Sequence, residues 1–152
     1  MQLLRGSGRT HFRTVQRAHR GEPIRFSGQY YDVDIQGWTR PLPPVRERIP
    51  IYLAGVREGM IRTAAQVADG LLGHPIYSLR WIREVVLPSL GRGLAESQRA
   101  RDDFHLCLAV CCAVGKDLAA ARRAAAATIA FYATVNTYEP LFTPFAAEVQ
   151  RI

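Results

Sequence analysis

The segment Gly55-Val56-Arg57-Glu58-Gly59-Met60 combines residue types and spacing that can do chemistry. It follows a short apolar run, Pro50 to Gly55, and opens a helical pattern. A helix that begins just after a strand points free N–H groups and its positive dipole end at whatever lies above it, which favours a phosphate. The two glycines let backbone approach a ligand closely, and Arg57 can add a charge. From these residues alone, a plain strand-to-helix turn with a solvated arginine is the more economical reading. His74 closes a second apolar run, GLLGH, so it falls at the same end of its strand. An imidazole there can donate a hydrogen bond or titrate near neutral pH, or it can be a loop histidine with no role. Asp69 stands at the entry of that strand rather than its exit. That placement favours bonds to local backbone N–H groups over general-base work. His105 has the same placement and the same structural reading. His11 and His19 lie on one helical pattern without the nearby cysteine or carboxylate partners of a metal site. Tyr77, Tyr132 and Tyr138 can line a pocket, although aromatic side chains in such positions more often fill core. GxSxG, HExxH, P-loop and GxGxxG signatures are absent.

The elements that must position these residues follow from periodicity. Phe12, Val15 and Ala18 recur at helical spacing across 9–20, and Gly21 is a stop signal. Ile24, Phe26, Tyr30, Tyr31 and Val33 flank Ser27-Gly28 and predict a small hairpin within about 22–36. Residues 36–49 are proline-rich and extended. Short apolar strands are then expected at 50–55, 70–74 and 104–114, the last apolar on both faces and buried. Helices are expected at 58–68, with Met60, Ile61, Ala64, Ala65 and Ala68 on one face, and at 78–91, where Pro88 must kink the helix or begin a new turn. Asp117 can cap an alanine-rich helix running to about residue 130, and the tail from Glu139 predicts one more. Alternating strands and helices specify an α/β fold with a parallel sheet. Three apolar strands cannot close a barrel, and a Rossmann sheet would normally have more, so the pattern is that of part of a larger sheet or barrel.

Composition narrows the function classes. The chain has 152 residues, 48% hydrophobic and 22% charged, enough to build a core. No apolar run approaches the ~18 residues of a membrane span, and the first 20 residues lack the apolar stretch of a signal peptide. The net charge is +7, and of 20 basic residues only Lys116 is lysine. Six arginines fall in the first 25 residues. They are scattered along the chain and not interleaved with aromatics, so the charge reads as solvated helix faces rather than a nucleic-acid surface. Cys107, Cys111 and Cys112 all sit in one apolar run without metal-ligand spacing, and are expected to be buried small hydrophobes. Reduced thiols suit a cytoplasmic location.

The stretch IPIYLAGVREGMIRTAAQVADGLLGHP, from Ile49 to Pro75, resembles the luciferase-like monooxygenase family, and most closely its branch that uses the deazaflavin coenzyme F-420. The shared features are the PIYLA strand, the glycine-bearing loop, the helix, and Ala68-Asp69-Gly70 ahead of the next strand. GEPIRFSGQYYDV, LPSLGRGL and IAFYATVNTYEPLF are also similar to the family, so the resemblance spans most of the chain. It implies a (β/α)8 barrel of which this chain is roughly the C-terminal half, one incomplete domain over 1–152, beginning after the fourth strand and stopping before the eighth. It further implies that Gly55, Val56, Arg57, Gly59 and Met60 hold coenzyme F-420, or alternatively FMN, and that His74 meets the substrate. The loop here reads VREG where the family often has Gly-Pro. In the family the acid and base groups come largely from earlier strands, so the resemblance assigns no catalytic acid or base here. The expected activity is hydride transfer between coenzyme and a small organic substrate. The alternative is a non-catalytic half-barrel that associates through its open strand edges. Neither nucleic acid nor membrane is an expected partner.

Overall fold

Why these segments fold as they do is clearest in the central sheet. A computed structural model describes residues 3–28 and 32–145. Strands β3 (Tyr52–Gly55), β4 (Gly70–Gly73) and β5 (His105–Leu108) lie side by side in sequence order, all parallel. In this register Leu53, Leu71 and Leu106 form one row, and Ala54, Leu72 and Cys107 form the row facing the other way. The leucine row packs beneath helix α2 (Glu58–Val67) and the long helical segment after β4. Ile61, Ala64, Ala65 and Leu71 are fully buried there, with Val86, Leu90 and Phe104. Each large aliphatic side chain so buried contributes roughly 1.5–3 kcal/mol.

That helical segment differs from its expected form. Ser78 caps α3 (Leu79–Trp81) by accepting from the Trp81 N–H at 3.0 Å. A π-helical turn at Ile82–Val86 follows, and then α4 (Leu87–Glu96). Pro88 has no N–H to donate, and its ring would crowd the carbonyl four residues back. The wider turn answers both constraints: the Leu87 N–H reaches Ile82 O, five residues back. The helix therefore continues past Pro88 and past Gly91, to Glu96.

Helix α1 (Leu3–Arg20) is tied to the chain that follows it. Gln16 exchanges two hydrogen bonds with the backbone of Ile49, and Trp38 Nε1 donates to Ala18 O at 3.0 Å. His19 Nε2 lies 2.8 Å from Arg46 O while its Nδ1 lies 3.0 Å from Arg40, a pairing satisfied by the neutral Nε2–H tautomer. The hairpin pairs β1 (Ile24–Ser27) with antiparallel β2 (Asp32–Ile35). Ser27 is the last paired residue, facing Asp32, so the connection spans 28–31 and is wider than a turn centred on Ser27-Gly28. Tyr30 and Tyr31 lie outside the described residues.

The expected strand over 104–114 is corrected to four residues. β4 ends at Gly73, and Pro75 cannot donate to a ladder, so β5 has no partner beyond Leu108. The three cysteines are exposed rather than buried, because Cys107 points to the uncovered face and Cys111 and Cys112 lie past the paired segment. Both β3 and β5 are open edges in the described residues. Asp117 caps α5 (Leu118–Ala133) by accepting from Ala119 N and Ala120 N. The chain then forms a 3-10 turn at Asn136–Tyr138, the short α6 (Glu139–Phe142) and another 3-10 turn at Thr143–Phe145. The rest of the helix expected from Glu139 onward falls outside the described residues.

Candidate functional site

The strand order puts the C-terminal ends of β3 and β4 next to one another, with Gly55 in register with Gly73. Above them opens a cavity of about 500 Å³ with mostly apolar walls. Gly55, Val56, Arg57, Met60 and His74 line it, and Gly59 does not. Helix α2 starts at this wall. Its N-cap residue, Arg57, gives no side-chain cap, while the Met60 and Ile61 N–H groups both donate to Arg57 O. The N–H groups of Glu58 and Gly59 are thus the first-turn donors left for an outside acceptor. Met60 enters the cavity wall with its backbone N–H already used.

Arg57 has a definite role in the fold. Its Nε donates to Thr137 O at 2.9 Å and its Nη2 to Asn136 O at 2.7 Å. The guanidinium fork therefore holds the 3-10 turn at Asn136–Tyr138 against the cavity, and Thr137 and Tyr138 become part of its wall. Tyr138 and Tyr132 in turn meet His74. The His74 ring centroid lies 4.7 Å from that of Tyr138 and 4.8 Å, edge-on, from that of Tyr132. Edge-to-face and offset rings at this spacing add to simple burial. Burial pushes the His74 pKa below its ordinary value, and its Nδ1 accepts from Ile76 N over a long 3.4 Å. At neutral pH this imidazole is uncharged, and its Nε2–H has no hydrogen-bond partner among the described residues. Of the tyrosines expected mainly in the core, Tyr138 thus lines the cavity, and no periodic signal links it or Tyr132 to His74.

Tyr77 sets the height of the loop. Its hydroxyl donates to Gly55 O, the last carbonyl of β3. Burial pushes its pKa up to about 12, with the His74 backbone pulling the other way. In the unfolded chain the phenol ionises near 10, so stabilisation from keeping it neutral is complete below pH 10 and disappears as pH rises from 10 to 12. Tyr77→Phe is expected to lower stability at pH 7 by about 1 kcal/mol. It should also flatten the alkaline fall in stability over that window. Urea denaturation at pH 7, 10 and 11.5 measures both, and an unchanged alkaline limb would remove Tyr77 as its source.

Asp69 and His105 sit at the opposite ends of the strands. Asp69 Oδ2 accepts from Ile51 N at 2.8 Å, its Oδ1 pairs with Arg48, and its backbone joins β3 to β5 through Ile51 O and His105 N. His105 Nδ1 bonds the Tyr52 hydroxyl. Neither reaches the cavity. His11 is not described at the side-chain level, and no group of three or more His, Cys, Asp or Glu residues is placed to hold a metal among the described residues.

A profile of the luciferase-like monooxygenase family matches residues 9–151. The chain belongs to this family. The uncharacterized protein Rv1360 of Mycobacterium tuberculosis is 39% identical over 124 residues, 78% of this chain and 36% of that protein. An F420-dependent glucose-6-phosphate dehydrogenase of Beutenbergia cavernae is 32% identical over 98 residues, 60% of this chain and 26% of the relative. Among solved structures, the coenzyme F420-dependent tetrahydromethanopterin reductase of Methanopyrus kandleri superposes with a TM-score of 0.64 at 24% identity, over 78% of this chain and 33% of that one. An F420-dependent secondary alcohol dehydrogenase in complex with an F420-acetone adduct gives 0.57 at 15% identity, over 71% of this chain and 32% of that one. This luciferase-like chain therefore has the fold of part of a (β/α)8 barrel and spans about a third of the length of these relatives. No helix among the described residues is long and apolar enough to cross a membrane.

Proposed function

We propose that the cavity above β3 and β4 is part of a coenzyme F-420 site, and that the parent protein transfers a hydride between that coenzyme and a small organic substrate. The observation that carries this reading is the cavity's position at the C-terminal ends of parallel strands, where barrel enzymes place their chemistry, beside the uncapped N-terminus of α2. The residues present fit such a group. Apolar walls suit a flat ring system, and the Glu58 and Gly59 N–H groups with the α2 dipole suit a phosphate. The coenzyme supplies the hydride-carrying ring when bound. Gly55 and Val56 supply a close backbone approach, Met60 an apolar flank, and Arg57 the fork that keeps the 136–138 turn against the cavity. His74, neutral and backed by Tyr132 and Tyr138, offers Nε2–H to a substrate oxygen. Three exposed free thiols are compatible with a reducing, cytoplasmic setting.

A fluorescence titration with coenzyme F-420, and separately with FMN, tests the reading. Saturable binding of F-420 supports it. Saturation by FMN alone would reassign the site to flavin. Binding of neither, by a chain that circular dichroism shows to be folded, would overturn the cavity as the coenzyme site.

A further inference from the structure

On the opposite face of the sheet, below the N-terminal ends of the strands, a second and larger cleft of about 930 Å³ lies between α1 and the base of α2. The arginines that look scattered in the sequence converge there. Arg13, Arg17 and Arg20 come from successive turns of α1, Arg48 from the segment before β3, and Arg99 from the turn after α4. Glu22, Asp69 and Asp103 also line it, leaving two more guanidiniums than carboxylates.

The pairing inside the cleft is uneven. Arg48 is matched to Asp69, and Arg20 to Glu22. Arg99 keeps its charge but spends its donors on Ala65 O and Ala68 O at the end of α2. Arg17 shares that same Glu22, its Nε lying 3.4 Å from the second carboxylate oxygen, so one carboxylate answers two guanidiniums. Arg13 has no ion pair or hydrogen bond among the described residues.

The geometry points to an organic phosphate as the ligand of this cleft. The two-charge excess matches a phosphate dianion, and adjacent guanidinium forks are the side chains best shaped to grip one. The volume is within the range of small-molecule sites and exceeds what a phosphate group fills. The site is independent of the coenzyme cavity, from which the sheet separates it, and does not rest on that assignment.

Calorimetric titration with pyrophosphate at low ionic strength tests the assignment. Saturable binding is expected, weakened about fivefold each by Arg17→Gln and Arg13→Gln. Glu22→Gln should act in the opposite direction, tightening binding by roughly twofold or more, because it frees the carboxylate's hold on Arg17 and Arg20. Arg122→Gln, on the exposed surface of α5, removes the same charge and should change nothing. Ala54→Trp, which fills the opposite cavity, should also leave binding intact. Several outcomes overturn the proposal: no binding by the folded chain, equal losses from Arg122→Gln and Arg17→Gln, weakening by Glu22→Gln, or loss on Ala54→Trp. The last would move the anion into the cavity above β3 and β4.

Discussion

Gly93→Ala is expected to destabilise the chain by about 2–3 kcal/mol, while Gly91→Ala, two residues away on the same helix, is expected to stabilise it by about 0.5–1 kcal/mol. Both replacements add one methyl group and both improve helix propensity. They differ in what that methyl meets. At Gly93 an added Cβ would stand 2.5 Å from Arg62 O and 2.7 Å from the Ala65 Cβ, so α4 would have to lift from α2. At Gly91 it would meet nothing within 4 Å. The seam that would open holds Ile61, Ala65, Leu90 and Leu94, so the cost includes lost burial as well as the clash. Chain length sets the thermal readout: about 2–4 °C per kcal/mol, and hence a fall of roughly 4–12 °C for Gly93→Ala. Equal melting shifts for the two variants would show that α2 and α4 do not approach as closely as the structure places them.

This contrast also marks where sequence reading runs short. Alternating apolar runs located β3, α2 and β4 to within two residues, because each buries one face and ends at glycine or at a charged loop. The helix after β4 is expected over 78–91, with Pro88 kinking it or beginning a new turn, and it runs on to Glu96. Gly93 is the contact that lets two helices touch, a fact that belongs to the pair and not to either sequence. The apolar run FHLCLAVCCAV reads as a long buried strand, yet only His105–Leu108 pairs, because the length of a strand is set by its neighbour. The candidate site divides in the same way. The Gly55 loop and His74 were legible, since a strand's C-terminal end is a local feature. The Arg57 bonds to carbonyls 79 and 80 residues away, and the Tyr132–Tyr138–His74 cluster, have no local signal. The arginine cleft shows the converse. The charge was plain in the composition, but only the fold brings five arginines from three segments together.

Ala54→Trp is expected to reduce affinity for coenzyme F-420 by tenfold or more while leaving stability within about 0.5 kcal/mol. Ala54 lies on the cavity wall, on the sheet face turned away from the helices, in register with Leu72. It is exposed, so a larger side chain displaces no core residue. An indole there would occupy much of the space a flat ring needs, and tenfold corresponds to only about 1.4 kcal/mol of lost contact. The variant separates two ways of holding the coenzyme. If the apolar cavity supplies the affinity, Ala54→Trp abolishes it and a charge change at Arg57 acts mainly through the 136–138 turn. If the α2 N-terminus supplies it alone, a phosphate-bearing ligand still binds the variant with near-normal affinity, and its ring lies elsewhere. Titrating the variant with F-420 beside the parent chain, with melting curves for both, reads the two quantities independently. Unchanged affinity at unchanged stability would remove the cavity from the binding surface, and with it the role proposed for His74.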